Sequence, residues 1–196
     1  MTLADWKELV DLHAELKMNT LMLGLYSCWR RADHDKEFLL APSRTYPKLR
    51  SPQTLAFYSP KAGRRVTLDW VPPMFGEDFL GELAAYAAVR GVAIVPYISS
   101  LGHNTLIPKL YPEVSMVDAE GKPKGYGFCT SSPKSYELLF GWCDEIIERY
   151  MRPHGLDMFG IGMDEVRYRC ECPKCRRIPD RGLDNFIVRH LFKLLA

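Results

Sequence analysis

The chain has 196 residues, 47% of them hydrophobic and 26% charged, and its 26 basic and 24 acidic side chains leave a formal net charge of +2. This is the composition of a soluble globular protein with one sizeable core. Lysines, arginines and acids are mixed along the chain, which excludes the basic footprint of a nucleic-acid binder and a charged tail, so the expected partner is a small or neutral molecule.

In chain order, residues 2 to 17 carry Leu3, Trp6, Leu9, Leu12 and Leu16 at helical spacing, and Thr2 with Asp5 makes a capping-box start. The same stretch lacks the basic-then-apolar pattern of a secretory signal, and no apolar run approaches the ~20 residues that span a bilayer. A cytoplasmic location with no membrane partner is expected from the chain as written. "TLMLGLY" (20 to 26) has apolar residues on both faces, as a buried parallel strand requires.

The alternation then recurs. Residues 77 to 91 read as a helix stopped by Gly91, and "VAIVPYISS" (92 to 100) reads as a second buried strand. Ser132 and Pro133 supply an N-cap and first-turn proline for a third helix, with Tyr136, Leu139, Phe140, Cys143, Ile146, Ile147 and Tyr150 as its inner face. Residues 156 to 165 form a third strand and residues 183 to 195 a closing helix. Helices lead into strands by short connections, whereas strands lead into helices through long segments, 27 to 76, 101 to 132 and 166 to 182.

That asymmetry predicts an α/β fold with parallel strands and one functional rim at their C-terminal ends. Trp29 and Arg30 fall on that rim after the first strand, His103 after the second, and Asp164 and Glu165 after the third. Only three strands are visible, so the fold is either a small open sheet or a segment of a (β/α)8 barrel. In both cases residues 1 to 196 form a single domain.

Asp164 and Glu165 end a strand, where both can reach the rim. A glutamate whose pKa is raised by burial or a neighbouring negative charge can donate a proton to a leaving group while the adjacent aspartate stays ionised. The plainer alternative is an acid pair that accepts backbone hydrogen bonds or caps a helix. Trp29 and Trp70 could stack on a sugar face or simply pack their long loop. Arg30 could touch a ligand.

"VPYISSLGHN", "YPEVSMVDAEGKPKGYGFCTSSPKSYELL" and "FGIGMDEV", in this order and spacing, resemble the catalytic barrel of family 20 glycoside hydrolases, the β-N-acetylhexosaminidases. The resemblance runs over nearly the whole chain. It implies part of a (β/α)8 barrel and removal of terminal β-linked N-acetylhexosamine, with the substrate's own 2-acetamido oxygen as nucleophile. It implies Glu165 as general acid and base, Asp164 as the group that orients the acetamide, and His103 as a rim residue that supports the pair or contacts the sugar. No cofactor is required, and the partner is an N-acetylhexosaminide or a glycoconjugate.

The family's His-x-Gly-Gly-Asp-Glu strand reads Gly160-Ile161-Gly162-Met163-Asp164-Glu165 here, so the histidine falls on Gly160 and the second glycine on Met163. A sugar-gripping arginine is expected before Met1, and the tyrosine and tryptophans of later strands beyond Ala196. Open strand edges and apolar faces of a partial barrel would favour self-association. The competing reading is a non-catalytic carbohydrate-binding or metal-braced structural domain derived from such a barrel, or an inactive truncated product.

Of six cysteines, Cys28, Cys129 and Cys143 stand singly in apolar stretches, while Cys170, Cys172 and Cys175 are crowded together. Three thiolates at this spacing suit a structural Zn2+ if a fourth ligand is present, for which Cys129, Asp180 and His190 are candidates. A Cys172 to Cys175 redox pair and ordinary reduced thiols are the other readings.

Overall fold

The computed structural model describes residues 2–31, 34–39, 41–50, 53–70, 79–179 and 182–195. The chain divides into two compact units: residues 1–98 with 142–160, and residues 99–141 with 161–196.

In the first unit, α1 (Leu3–Glu15) begins with a complete capping box: the Thr2 side chain accepts from the Asp5 amide, and the Asp5 carboxylate accepts from the Thr2 amide. Strand β1 (Thr20–Gly24) pairs in parallel with β6 (Ala93–Ser99) over the register Thr20↔Ala93 to Gly24↔Tyr97. Helix α2 (Phe79–Ala88) leads into β6 through Gly91, whose φ of 70° is the left-handed conformation that ends a helix. The α1 and α2 faces meet at Trp6 and Phe79, edge to face at 6.1 Å, and at Asp11, which accepts from Tyr86 and Arg90.

Between β1 and α2 the sequence predicts a long rim loop, and the structure differs. Residues 26 to 70 contain an antiparallel sheet in the order β2-β3-β4-β5: Tyr26–Arg31, His34–Leu39, Gln53–Ser59 and Arg64–Trp70. The cause is visible in "QTLAFYSPKAGRRVTLDW", where two alternating strands flank a Pro-Lys-Ala-Gly turn, with Gly63 at a φ of 62°. Trp29, Arg30 and Trp70 therefore lie on strands rather than in a loop, and their side chains lie outside the described residues.

The second unit holds α3 (Leu106–Leu110), the hairpin β7 (Ser115–Val117) and β8 (Pro123–Phe128), α5 (Pro173–Arg176) and α6 (Leu183–Leu195). The Asp118 side chain closes the hairpin by accepting from the Glu120 and Lys122 amides. This unit has its own core of Leu101, Met116, Cys129, Val166, Cys170, Cys175 and Phe186. Helix α4 (Pro133–Ile146) ends in a π-helical turn, Ile147–Met151. Leu139, Cys143, Ile146 and Tyr150 are buried as their spacing predicts, but Phe140 is exposed and Trp142 is buried instead, its Nε1–H donating to the Ala41 carbonyl at 3.2 Å.

The third strand is far shorter than its apolar run predicts. β9 spans only Gly160–Gly162, the third member of the sheet order β1-β6-β9. Glycines disfavour extended pairing, and the chain turns at Asp164 and Glu165 immediately afterwards. Among the described residues, no helix is long and apolar enough to cross a membrane.

Candidate active site at the acid-pair turn

Gly102 fixes where the turn after β6 meets the acid pair. A Cβ at this position would lie 1.7 Å from the Asp164 carbonyl oxygen and 2.9 Å from the Val166 amide nitrogen, so only glycine allows the approach. The neighbouring His103 then reaches both acids. Its Nδ1 lies 3.6 Å from Asp164 Oδ2 and its Nε2 3.1 Å from Glu165 Oε2. The side chains of His103, Asp164 and Glu165 keep 45%, 69% and 47% of their surface, which leaves them open to an incoming ligand.

The backbone here is held in uncommon conformations. His103 (φ 46°) and Glu165 (φ 45°) are two of the three non-glycine residues with positive φ among the described residues. Each such conformation costs on the order of 1 kcal/mol and persists only where surroundings enforce it, a pattern that concentrates at functional sites. The enforcing contacts are identifiable. Tyr126 on β8 donates its hydroxyl to the Glu165 carbonyl at 2.5 Å, and its ring packs edge to face on Tyr168 at 5.5 Å. Met163, half-buried, packs against the core of the unit.

A chain of hydrogen bonds supports the strand end from below. Gly162 O accepts from the Ser100 amide at 2.7 Å and from its hydroxyl at 3.1 Å. The Ser100 hydroxyl has one proton to give, so the His190 Nε2 at 3.0 Å must be the donor to it, leaving Nδ1 to accept from the Tyr136 hydroxyl at 2.9 Å. Such an imidazole is neutral. Burial, with Lys193 assisting, pushes the His190 pKa down to about 4. His190 is thus a brace for the acid-bearing strand and makes no part of the cysteine cluster, contrary to one of the sequence expectations for a fourth ligand. Asp180, another candidate, lies outside the described residues.

The electrostatics of Glu165 also differ from the expectation of a raised pKa. Hydrogen bonding to His103, then to Arg167, holds its carboxyl below the ordinary glutamate range. Desolvation, which would raise it, is outweighed in the free protein by these two partners. Gly102, Tyr126 and Arg167 are site residues that sequence reasoning missed. Of these, only Gly102 had a signal, in the Leu-Gly-His turn.

Gly160, which stands where the resembled pattern has histidine, has a local cause. A Cβ there would meet Tyr97 Cδ2 at 2.8 Å and Cβ at 3.4 Å, so the Tyr97 side chain occupies the space a larger residue would need.

Below the turn, Cys170, Cys172 and Cys175 gather with Cys129, which follows β8. The four sulfur atoms all lie within 4.8 Å of one another, and Cys129, Cys170 and Cys175 are buried. Among the candidates for a fourth partner, Cys129 is the one the fold brings in. Such a set of soft donors could hold one thiophilic ion.

Comparison with known proteins places this geometry in context. The family model for the catalytic domain of glycosyl hydrolase family 20 matches residues 1–193. A beta-hexosaminidase of Akkermansia muciniphila is 28% identical over an alignment of 191 residues that covers 91% of this chain and 35% of that protein. Among solved structures, a beta-N-acetylhexosaminidase from Bacteroides fragilis superposes with a TM-score of 0.59 at 21% identity, covering 89% of this chain and 31% of the other. The exo beta-N-acetylglucosaminidase of Vibrio harveyi, solved with N-acetylglucosamine, gives 0.60 at 20% identity over 90% of this chain and 27% of the other. At these identities the structures speak for the fold, and the chain spans about a third of the length of its relatives. The chain belongs to glycosyl hydrolase family 20, as part of the (β/α)8 barrel that forms the family's catalytic domain.

Proposed function

We propose that the acid-pair turn serves the hydrolysis of terminal β-linked N-acetylhexosaminides by substrate-assisted, retaining catalysis. The observation that carries this reading is the convergence of Asp164, Glu165 and His103 at one exposed rim, with two of them in strained backbone conformations. Asp164, the more exposed acid, hydrogen-bonds the acetamide N–H and so directs its carbonyl oxygen at the anomeric carbon. As that oxygen bonds to the carbon and the glycosidic bond breaks, the Glu165 proton passes to the departing oxygen. Water then attacks the anomeric carbon, Glu165 accepts its proton, and the acetamide is restored with the original configuration.

Glu165 must be protonated for the first step, and in the free protein His103 and Arg167 favour its charged form. A sugar seated on the turn displaces water, and this desolvation raises the carboxyl toward the working range. Carbohydrate is therefore the proposed partner, and the acid and base are supplied by side chains alone.

The ion pair of Glu165 with Arg167 favours one alternative, a sugar-binding domain without turnover, because a carboxylate neutralised by arginine is poised to accept hydrogen bonds rather than to donate a proton. Hydrolysis of an aryl N-acetyl-β-glucosaminide by the wild-type chain and by Glu165→Gln separates the two. The proposal predicts turnover that falls by a factor of ~10² or more in the variant with sugar affinity kept. Binding by both proteins with no turnover in either supports the alternative.

A further inference from the structure

We propose that Cys129, Cys170, Cys172 and Cys175 form a structural zinc centre that clasps the segment following the acid pair to the end of β8. Four ligands at a Zn–S distance of ~2.3 Å in a tetrahedron place their sulfur atoms ~3.8 Å apart. Cys129 Sγ lies 3.6 Å from Cys172 Sγ and 3.9 Å from Cys175 Sγ, and no pair of the four exceeds 4.8 Å. None of the four is disulfide-bonded, and these separations are near twice the ~2.05 Å of an S–S bond.

The surroundings fit thiolate ligands. The Val117 amide is directed at Cys170 Sγ and the Cys175 amide at Cys172 Sγ, both at 3.4 Å, the backbone N–H contacts that stabilise charge on metal-bound sulfur. Cys172 caps α5, whose proline start and single turn bring Cys175 round to the same point. Leu101, Met116, Val166 and Phe186 share one buried core with Cys129, Cys170 and Cys175, and the half-buried Cys172 packs against it. On binding, the thiols release their protons to solvent, and four sulfur ligands leave no open coordination position, so the ion does no chemistry on a substrate.

Its consequence is positional. Cys129 directly follows the strand that carries Tyr126, and Cys170 follows Glu165 by one short loop. The ion joins the two chain segments whose contact, from the Tyr126 hydroxyl to the Glu165 carbonyl, sets the turn. The centre does not depend on hydrolysis, so its test is independent of the proposed activity.

The chain is produced in zinc-supplemented medium, purified under reducing conditions without chelator, and its metal measured by mass spectrometry. One zinc per chain is expected, and it is lost in Cys129→Ala and Cys172→Ala but kept in Cys143→Ala, whose thiol lies outside the cluster. Because a ligand variant can fail to fold, the wild-type chain is also loaded with Co2+. Strong visible bands with a sulfur-to-cobalt charge-transfer band are expected of a tetrahedral four-thiolate site. A folded, reduced wild-type chain that takes up no zinc, zinc unaffected by Cys129→Ala, iron in its place, or a weak octahedral cobalt spectrum each overturns the proposal.

Discussion

Replacing Gly102 with alanine tests how closely the β6 turn and the acid pair must approach. The added methyl would sit 1.7 Å from the Asp164 carbonyl oxygen, 2.7 Å from its carbonyl carbon and 2.9 Å from the Val166 nitrogen. All three are backbone atoms, so no rotamer change relieves the clash. Since real Cβ atoms keep at least about 3.0 Å, the turn must open by about 1.3 Å. Overpacking of this kind costs ~1–3 kcal/mol, and with all the contacts on backbone the upper end is expected. At ~2–4 °C per kcal/mol for a chain of this size, the melting temperature should fall by roughly 6–12 °C. Gly155→Ala is the reference, because Gly155 has open space around it and its φ of 65° charges alanine only the left-handed backbone cost, ~1 kcal/mol. Urea unfolding of both variants reads the difference. If Gly102→Ala loses no more stability than Gly155→Ala, the close approach is not a real constraint and the derivation of the site fails.

Two further predictions concern titration. Burial works against the charge on Glu145, yet hydrogen bonds from Ser43 and the Arg44 and Thr45 amides, with Arg149, outweigh it and hold its pKa at about 2. A pKa depressed in the folded state gives stability that is present above the unfolded value of 4.5 and lost as pH falls toward 2. Glu145→Gln should therefore cost on the order of 2–3 kcal/mol at pH 7 and little near pH 2, as read by urea unfolding; an equal cost at both pH values would contradict the assignment. His190, neutral when folded, gives stability that is full above pH 6.5 and declines as pH falls toward about 4, because only the unfolded chain takes the proton readily. His190→Gln should flatten stability between pH 7 and pH 4, and an NMR titration of the wild type that gives His190 a pKa above 6 would refute its neutral bracing role.

Local signals carried much of the fold. The capping box of Thr2 and Asp5 and the apolar periodicity of residues 183 to 195 are short-range features, and α1 and α6 form where they predict. The sheet at residues 26 to 70 escaped because proline and glycine were read as loop composition, although alternation on either side of Gly63 held a hairpin pattern. β9 was overestimated because an apolar run fixes burial, not strand length. In the site, the family resemblance implies that His103 supports the acid pair or contacts the sugar, and the structure brings it to Asp164 and Glu165. Tyr126 reaches the turn from 39 residues away, which no local pattern encodes; Gly102 stands in the Leu-Gly-His turn and Arg167 two residues past Glu165, but what each touches depends on how the chain turns there. Likewise, spacing marked Cys170, Cys172 and Cys175, but only the return of β8 beside them brings Cys129 into the same cluster, while His190 is engaged by Tyr136 and Ser100.

In the proposed mechanism the substrate supplies the nucleophile while Asp164 and Glu165 serve it. Comparing two aryl β-glycosides that differ only at carbon 2, acetamido in one and hydroxyl in the other, tests it most directly. The acetamido substrate should turn over at least ~10³-fold faster, since without the amide oxygen no internal nucleophile exists, and Asp164→Asn should remove most of this advantage. Equal turnover of the two substrates, or a 2-fluoro glycoside trapped covalently on a carboxylate of the chain and seen by mass spectrometry, would contradict it.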